Sequence, residues 1–161
     1  MPPQTTPVIR NATEGDIAGI RALFRQGDRY HAELLPEVFQ YVGDGRTDEY
    51  VRSFMTDGSS GLIVAELGGD VVGFLTVTRM SSLDLPFFRK AEYALLDWCV
   101  VDADHRRRGI GTDLFHAARR WAQERGLRSI QLMVWARNEA ARELYAKLGF
   151  RDLIGKMELK L

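Results

Sequence analysis

The sequence predicts an α+β fold: a mixed, largely antiparallel sheet of about six to seven strands flanked by helices. Three observations carry that expectation. Residues 62–67 and 71–78 are apolar, β-prone runs joined by Gly68-Gly69, the pattern of an antiparallel hairpin. A third apolar run over residues 92–102 follows after a turn-rich stretch and completes a meander. Beyond Gly109 the period changes, because Ile110, Leu114, Ala117, Ala118, Trp121 and Ala122 recur at three and four, the spacing of one helix face.

The remaining elements follow in chain order. Residues 7–12 read as a short first strand. Thr13 with Asp16 three positions on marks a helix start, and Ile17, Ile20, Leu23 and Phe24 form its buried stripe, ending near Gly27 and Asp28. Residues 28–61 are irregular, with Pro36, Gly43 and Gly45 around a helix-like patch at 48–55. Gly126 stops the helix that starts after Gly109, and Ile130, Leu132 and Val134 alternate as a strand. Asn138 opens a helix carrying Ala141, Leu144, Tyr145 and Leu148, closed by Gly149, and the tail from Phe150 to Leu161 reads as the last strand.

Composition narrows the function classes. With 161 residues, 45% of them hydrophobic, the chain has material for one core and not two, so residues 1–161 are read as a single domain. Lys plus Arg and Asp plus Glu each number 22, and a net charge of zero provides no field that draws nucleic acid or an acidic membrane. The one cysteine, Cys99, has no internal disulfide partner, which argues against a stapled secreted domain. Residues 1–10 lack the basic start and apolar centre of a signal peptide, and no segment approaches a membrane span. A cytoplasmic location is expected.

The most informative segment runs from Val100 to Thr112, where a buried-type strand passes through Gly109 and Gly111 into the amphipathic helix. Free amides at such a helix start, with the favourable end of its dipole, suit an anion such as a pyrophosphate. The turn lacks the Lys-Ser/Thr ending of a nucleotide-triphosphate loop and the glycine spacing of a dinucleotide fingerprint. A solvated charged turn or a nucleic-acid patch at Arg106–Arg108 is the weaker reading, since no aromatics interleave with the arginines.

The spacing Arg106-x-x-Gly109-x-Gly111 resembles the coenzyme A signature of the GCN5-related N-acetyltransferase (GNAT) family, and the resemblance continues in order through Asn138, Ala141, Tyr145 and Gly149-Phe150. It covers residues 60–155. The resemblance implies that the third meander strand splays from the next, parallel one, leaving a V-shaped cleft for a pantetheine arm. Cys99, Val100 and Val101 would then offer backbone groups to pantetheine and the thioester. Arg106, Arg107, Arg108, Gly109, Ile110, Gly111 and Thr112 would hold the pyrophosphate. Asn138 would cap its helix, contact the pantetheine amides, or do both. The implied activity is direct transfer of the acetyl group of acetyl-coenzyme A to a primary amine of a small molecule or peptide, in a ternary complex. The competing reading keeps the fold and coenzyme A binding without turnover, as a sensor or interaction module. A homodimer is a further expectation of the resemblance.

That chemistry needs an oxyanion donor, a proton for the departing thiolate and a base for the amine. The resemblance assigns the first to the amide of Val101 or Val100 on a bulged strand, and the second to Tyr145, seven residues and two turns after Asn138. Packing alone would also explain Tyr145. For the base, Asp97 is the leading candidate, because strand alternation puts it on one face with Cys99 and an unpaired carboxylate in an apolar run is costly; a structural salt bridge would explain it equally well. Glu92 and His31 are the others. Some branches that act on protein N-termini carry a glutamate where Met133 stands, so their base is not carried over. Cys99 as an acyl-accepting nucleophile has no nearby His in sequence, and His105 and His116 read as structural or exposed. No metal-ligand spacing is present, and no metal is expected. The acceptor pocket is assigned to Tyr30, His31, Phe87 and Tyr93, from the irregular regions where aromatics concentrate.

Overall fold

A computed structural model describes residues 6–161. Residues 1–5, on which half of the leader-peptide reading rests, lie outside the described residues. Strand β1 (Val8–Asn11) leads through a short 3-10 turn into helix α1 (Ile17–Leu34), and a loop connects to α2 (Asp48–Thr56). Strands β2 (Ser60–Leu67), β3 (Asp70–Ser81) and β4 (Glu92–Val101) form the meander. Helix α3 (Ile110–Glu124), strand β5 (Ile130–Leu132) and helix α4 (Glu139–Lys147) follow. The sheet order is β1-β2-β3-β4-β5, antiparallel except for the parallel β4–β5 pair.

The sheet is covered on both faces, and each helix supplies the stripe its spacing dictates. Ile17, Ile20, Leu23 and Phe24 of α1 pack with Val51 of α2 on Leu62, Val64, Phe74 and Val100. On the other face Ile110, Leu114, Ala118, Trp121 and Ala122 of α3 pack on Ile63, Leu75, Val77, Ala94 and Leu96. The hairpin turn takes the left-handed conformation at both Gly68 (φ 62°) and Gly69 (φ 94°), the geometry that matches strand twist in a two-residue turn.

Two sequence expectations are corrected. Helix α1 does not stop at Gly27 and Asp28 but runs on for nearly two further turns to Leu34, ahead of Pro36. Gly27 is not a stop signal: a Cβ there would lie 3.3 Å from a methyl of Val100, so the glycine lets the helix approach β4 closely. The sheet has five strands rather than six to seven, because residues 150–161 form none. Phe150 docks on Phe115 and Tyr145, with ring centroids 5.4 and 5.5 Å away, but beyond it Ile154 and Met157 are over 90% exposed. The alternating pattern of Met157–Leu161 finds no ladder, since β5 offers only three residues.

Candidate active site

Strand β4 is the axis of the site, and one extra residue in it decides what points where. The β3–β4 register pairs Thr76 with Trp98 and Val77 with Leu96, which leaves Asp97 unopposed as a β-bulge. Before the bulge, Ala94 and Leu96 face α3; after it, Cys99 and Val101 pack on that side while Trp98 and Val100 face α1. The backbone obeys the same inversion. Ala94 donates its amide to Ser129 on the β5 side (3.0 Å), whereas Asp102, an even number of residues on, donates to Val72 on the β3 side (2.9 Å). Alternation back from Asp102 turns the amides of Val101 and Cys99 away from β3 and those of Val100 and Trp98 toward it. The Trp98 amide meets the Thr76 hydroxyl at 3.1 Å accordingly.

Parallel pairing with β5 ends at Leu96–Leu132, so the outward amides of Cys99 and Val101 line an edge without a neighbouring strand. This is the splayed cleft that the resemblance implies. It also corrects two readings. Val100 has its backbone groups turned to β3 and its side chain on the α1 face, so it offers the cleft no amide. Asp97 does not share a face with Cys99, because the bulge intervenes. Its carboxylate accepts from the hydroxyl of Thr78 (3.4 Å), which alternates with Phe74 on the α1 face.

At the lower end of the cleft the turn into α3 has the conformation of an anion cradle. Arg107 (φ 63°) and Gly109 (φ 83°) are both left-handed, and a non-glycine residue there costs about 1–2 kcal/mol, a strain kept where backbone direction matters. Gly109 is the N-cap of α3 and no side chain caps it, so the first-turn amides of Ile110, Gly111 and Thr112 remain available. Gly111 is small for a second reason: a Cβ would lie 3.3 Å from Leu144 of α4. Arg106 turns back, donating from Nε to the Val101 carbonyl (3.2 Å) with its guanidinium over the Tyr30 ring. Gln26 of α1 clasps the start of the turn. Its amide donates to Asp102 (2.8 Å) and its carbonyl accepts from the Ala103 amide (3.1 Å); the Gln26 donation, with those of His105 and the Asp104 amide, holds the Asp102 carboxyl below its usual pKa.

Asn138 caps α4 by accepting from the Ala141 amide (3.3 Å), and the Tyr30 hydroxyl donates to the same oxygen (3.2 Å). Tyr145 lies beside Cys99. Burial first, and then the neighbouring thiol, raise its phenol pKa well above the ordinary value, and its hydroxyl has no hydrogen-bond partner among the described residues. Burial alone pushes the Cys99 thiol up to about 12, so at neutral pH it is not a thiolate nucleophile.

On the α1 face the aromatic rings gather. His31 lies against Tyr30, Phe39 and Trp98, with centroids 5.8, 5.5 and 6.5 Å away, and Phe39 meets Trp135 at 5.5 Å. The Nδ1 of His31 contacts the Gly27 carbonyl at 3.0 Å; a carbonyl only accepts, so Nδ1 carries a proton, and it is Nε2 that bears the lone pair whenever the ring is neutral. Desolvation raises the Asp97 carboxyl above its ordinary pKa, partly offset by Thr78. Glu92 pairs instead with Arg79 (2.7 Å), which lowers its pKa. Phe87 lies tilted against Phe88 in the β3–β4 loop and is 79% exposed, while Tyr93 sits four residues up-strand of Asp97; neither ring is among those that meet Tyr30 and His31. Trp98, Trp135 and Gln26 escaped the sequence reading, which had no period or motif to single them out. Among the described residues no helix is long and apolar enough to cross a membrane, and no group of three His, Cys, Asp or Glu is placed to hold a metal.

The acetyltransferase (GNAT) family model matches residues 13–150. An uncharacterized N-acetyltransferase of Methanocaldococcus jannaschii is 31% identical over 153 residues, which span 91% of this chain and 62% of that protein's length. A Bacillus halodurans protein solved as a tetramutant superposes with a TM-score of 0.90 at 22% identity, over 96% of this chain and 99% of that one. The aminoglycoside N-acetyltransferase AAC(6')-Iy in complex with CoA superposes with a TM-score of 0.74 at 17% identity, over 100% and 98% of the two chains. At these identities the two structures speak for the fold alone.

Proposed function

Because the chain belongs to the acetyltransferase (GNAT) family, we propose that it transfers the acetyl group of acetyl-coenzyme A to a primary amine, directly and in a ternary complex. The observation that carries the reading is the order of free donors: the outward Cys99 and Val101 amides at the open edge of β4 lead to the uncapped α3 start, and Asp97 stands at the bulge two residues before Cys99. The fit to coenzyme A rests on the amides of Ile110–Thr112 for the pyrophosphate and on Val101 for the pantetheine. Both are donors left free by the fold.

Coenzyme A supplies an acetyl carbonyl activated as a thioester. The chain's own residues do the rest. The Cys99 amide, two residues deeper than Val101, holds the oxyanion that forms as the amine nitrogen adds to that carbon. Asp97, directly or through a water, takes the proton the nitrogen sheds; its raised pKa makes it a better base than an ordinary carboxylate. As the carbon–sulfur bond breaks, Tyr145 gives its phenolic proton to the sulfur, and the raised pKa keeps that proton in place until it is needed. His31, through Nε2, is the alternative base on the same face.

The test is release of the coenzyme A thiol across a panel of amines and peptide N-termini, with coenzyme A affinity measured in parallel by calorimetry. The expected result is turnover of at least one amine and loss of it in Asp97→Asn with affinity retained. Coenzyme A binding without turnover on the whole panel would favour the sensor reading. Absence of binding would remove both.

A further inference from the structure

Arg46 stands in the loop between α1 and α2 and is held more firmly than that position requires. Its guanidinium carbon lies 4.5 Å from the ring centroid of Trp98, 5.1 Å from Tyr50 and 5.3 Å from Phe24, enclosed by aromatic faces. Its Nε and Nη2 donate to the two oxygens of Asp28 at 3.4 and 3.2 Å. The loop does not need this side chain to stay in place. Arg21 already binds the Asp48 carboxylate and the Arg46 carbonyl (2.7 and 2.8 Å), and Arg25 binds Asp44 (2.7 Å).

The Asp28 contacts use only one edge of the guanidinium. Nη1 and the outer hydrogen of Nη2 have no partner among the described residues, and the side chain keeps 27% of its surface open. A planar fork whose rotamer is already fixed by three rings loses little freedom on binding, and its free edge matches a carboxylate in two parallel hydrogen bonds. Trp98, the ring under it, adjoins Asp97 in sequence and Cys99 on the other side. The Arg46 fork lies over the Trp98 indole, and the neighbouring Asp97 carboxylate is turned to the same α1 face by its contact with Thr78.

We propose that Arg46 binds a carboxylate of the acceptor, so that the acceptor is an amino acid or a molecule with an equivalent carboxylate beside its amine. The inference deepens the transferase reading and rests on it. The amine is directed toward Asp97 and the cleft, and the carboxylate toward the outer edge of Arg46. Asp28 keeps the fork oriented, with both its oxygens already engaged.

The experiment measures binding to the coenzyme A-saturated protein by calorimetry. The probes are matched sets built on leucine, methionine and phenylalanine: the free amino acid, its amide, its decarboxylated amine, and the dipeptide carrying it at the carboxyl end. In the parent protein at least one free acid or dipeptide is expected to bind about tenfold tighter than its amide, and which of the two wins separates amino acids from peptide ends. In Arg46→Gln the acid-to-amide ratio falls to within about twofold while coenzyme A affinity holds; Arg46→Lys keeps part of the ratio, as a point charge without the fork would. Equal or undetectable binding of acids and amides to the parent overturns the inference, as does an Arg46→Gln variant that weakens both alike. A carboxylate preference without thiol release on any amine would count against the transferase reading alone. Thiol release without that preference would count against Arg46 alone.

Discussion

The two halves of the site are made of different material. The half proposed for the cofactor, from Cys99 to Thr112, presents backbone amides whose directions are set by a bulge, two left-handed residues and an uncapped helix start. The half proposed for the acceptor, on the α1 face, presents side chains from four separate segments that meet only in three dimensions: Phe24 and His31, Phe39 and Arg46, Trp98, and Trp135. A backbone device needs few residue identities and leaves a compact, readable spacing. A wall of side chains leaves none, because any large ring of suitable shape fills the same place.

The largest expected effect tests whether the acceptor half is as dependent on packing as this contrast holds. Phe24 is buried against Phe74 and Trp98, at 4.5 and 5.3 Å, so Phe24→Ala should destabilise the protein by about 3–5 kcal/mol in urea unfolding. A loss under about 1 kcal/mol would break the comparison. Next, Tyr145→Phe is expected to lower kcat by about 100-fold with coenzyme A affinity within about twofold, placing its role in chemistry rather than in holding the cofactor. A parallel loss of affinity would return Tyr145 to packing. Gly109→Val tests the backbone half. A β-branched residue at φ 83° must shift the turn, so coenzyme A affinity should fall about tenfold or more while thermal stability changes little beyond the local strain.

The smallest effect lies outside both halves and sharpens the contrast as a control. Asp16 is buried, with Arg10 at 2.7 Å and the Thr13 amide and hydroxyl at 2.7 and 2.9 Å, and its pKa falls from 3.8 to about 2. A depressed carboxylate pKa adds stability above about pH 4 and loses it as pH falls toward 2. Asp16→Asn should remove about 1–2 kcal/mol at pH 7 and flatten the acid limb of the stability profile, read by urea titrations from pH 7 to 2. An unchanged acid limb would show that the Arg10 pair contributes nothing net.

How much was legible follows the same division. Glycine positions, helix periods and the Asn138-to-Tyr145 spacing are local patterns, and the structure reproduces the hairpin, the meander, α3 and α4 from them. The Asp97 bulge was not legible as such, because one extra residue in a ten-residue strand does not disturb an apolar run. Reading strict alternation across it put Asp97 and Cys99 on one face, while the amide assigned to Val100 came from the family resemblance and not from the spacing. Gly27 misled for a related reason: a glycine that admits Val100 looks the same in sequence as one that ends a helix. The C-terminal strand failed because its pattern is local but its partner would have to be supplied by a three-residue β5.

The bulge also bears on how such a chain can diversify. Point substitutions along β4 change one side chain at a time, yet loss of residue 97 would act as a frame shift in three dimensions. The indole of Trp98 would be carried to the α3 side, where Tyr145 lies, and the Cys99 thiol out among the acceptor's rings. Acceptor and donor surfaces would exchange occupants in a single event. Insertions and deletions in this one strand are therefore a separate mutational axis from substitutions, with all-or-none consequences, and the glycine turn that begins nine residues downstream at Arg106 would register none of them in its own sequence.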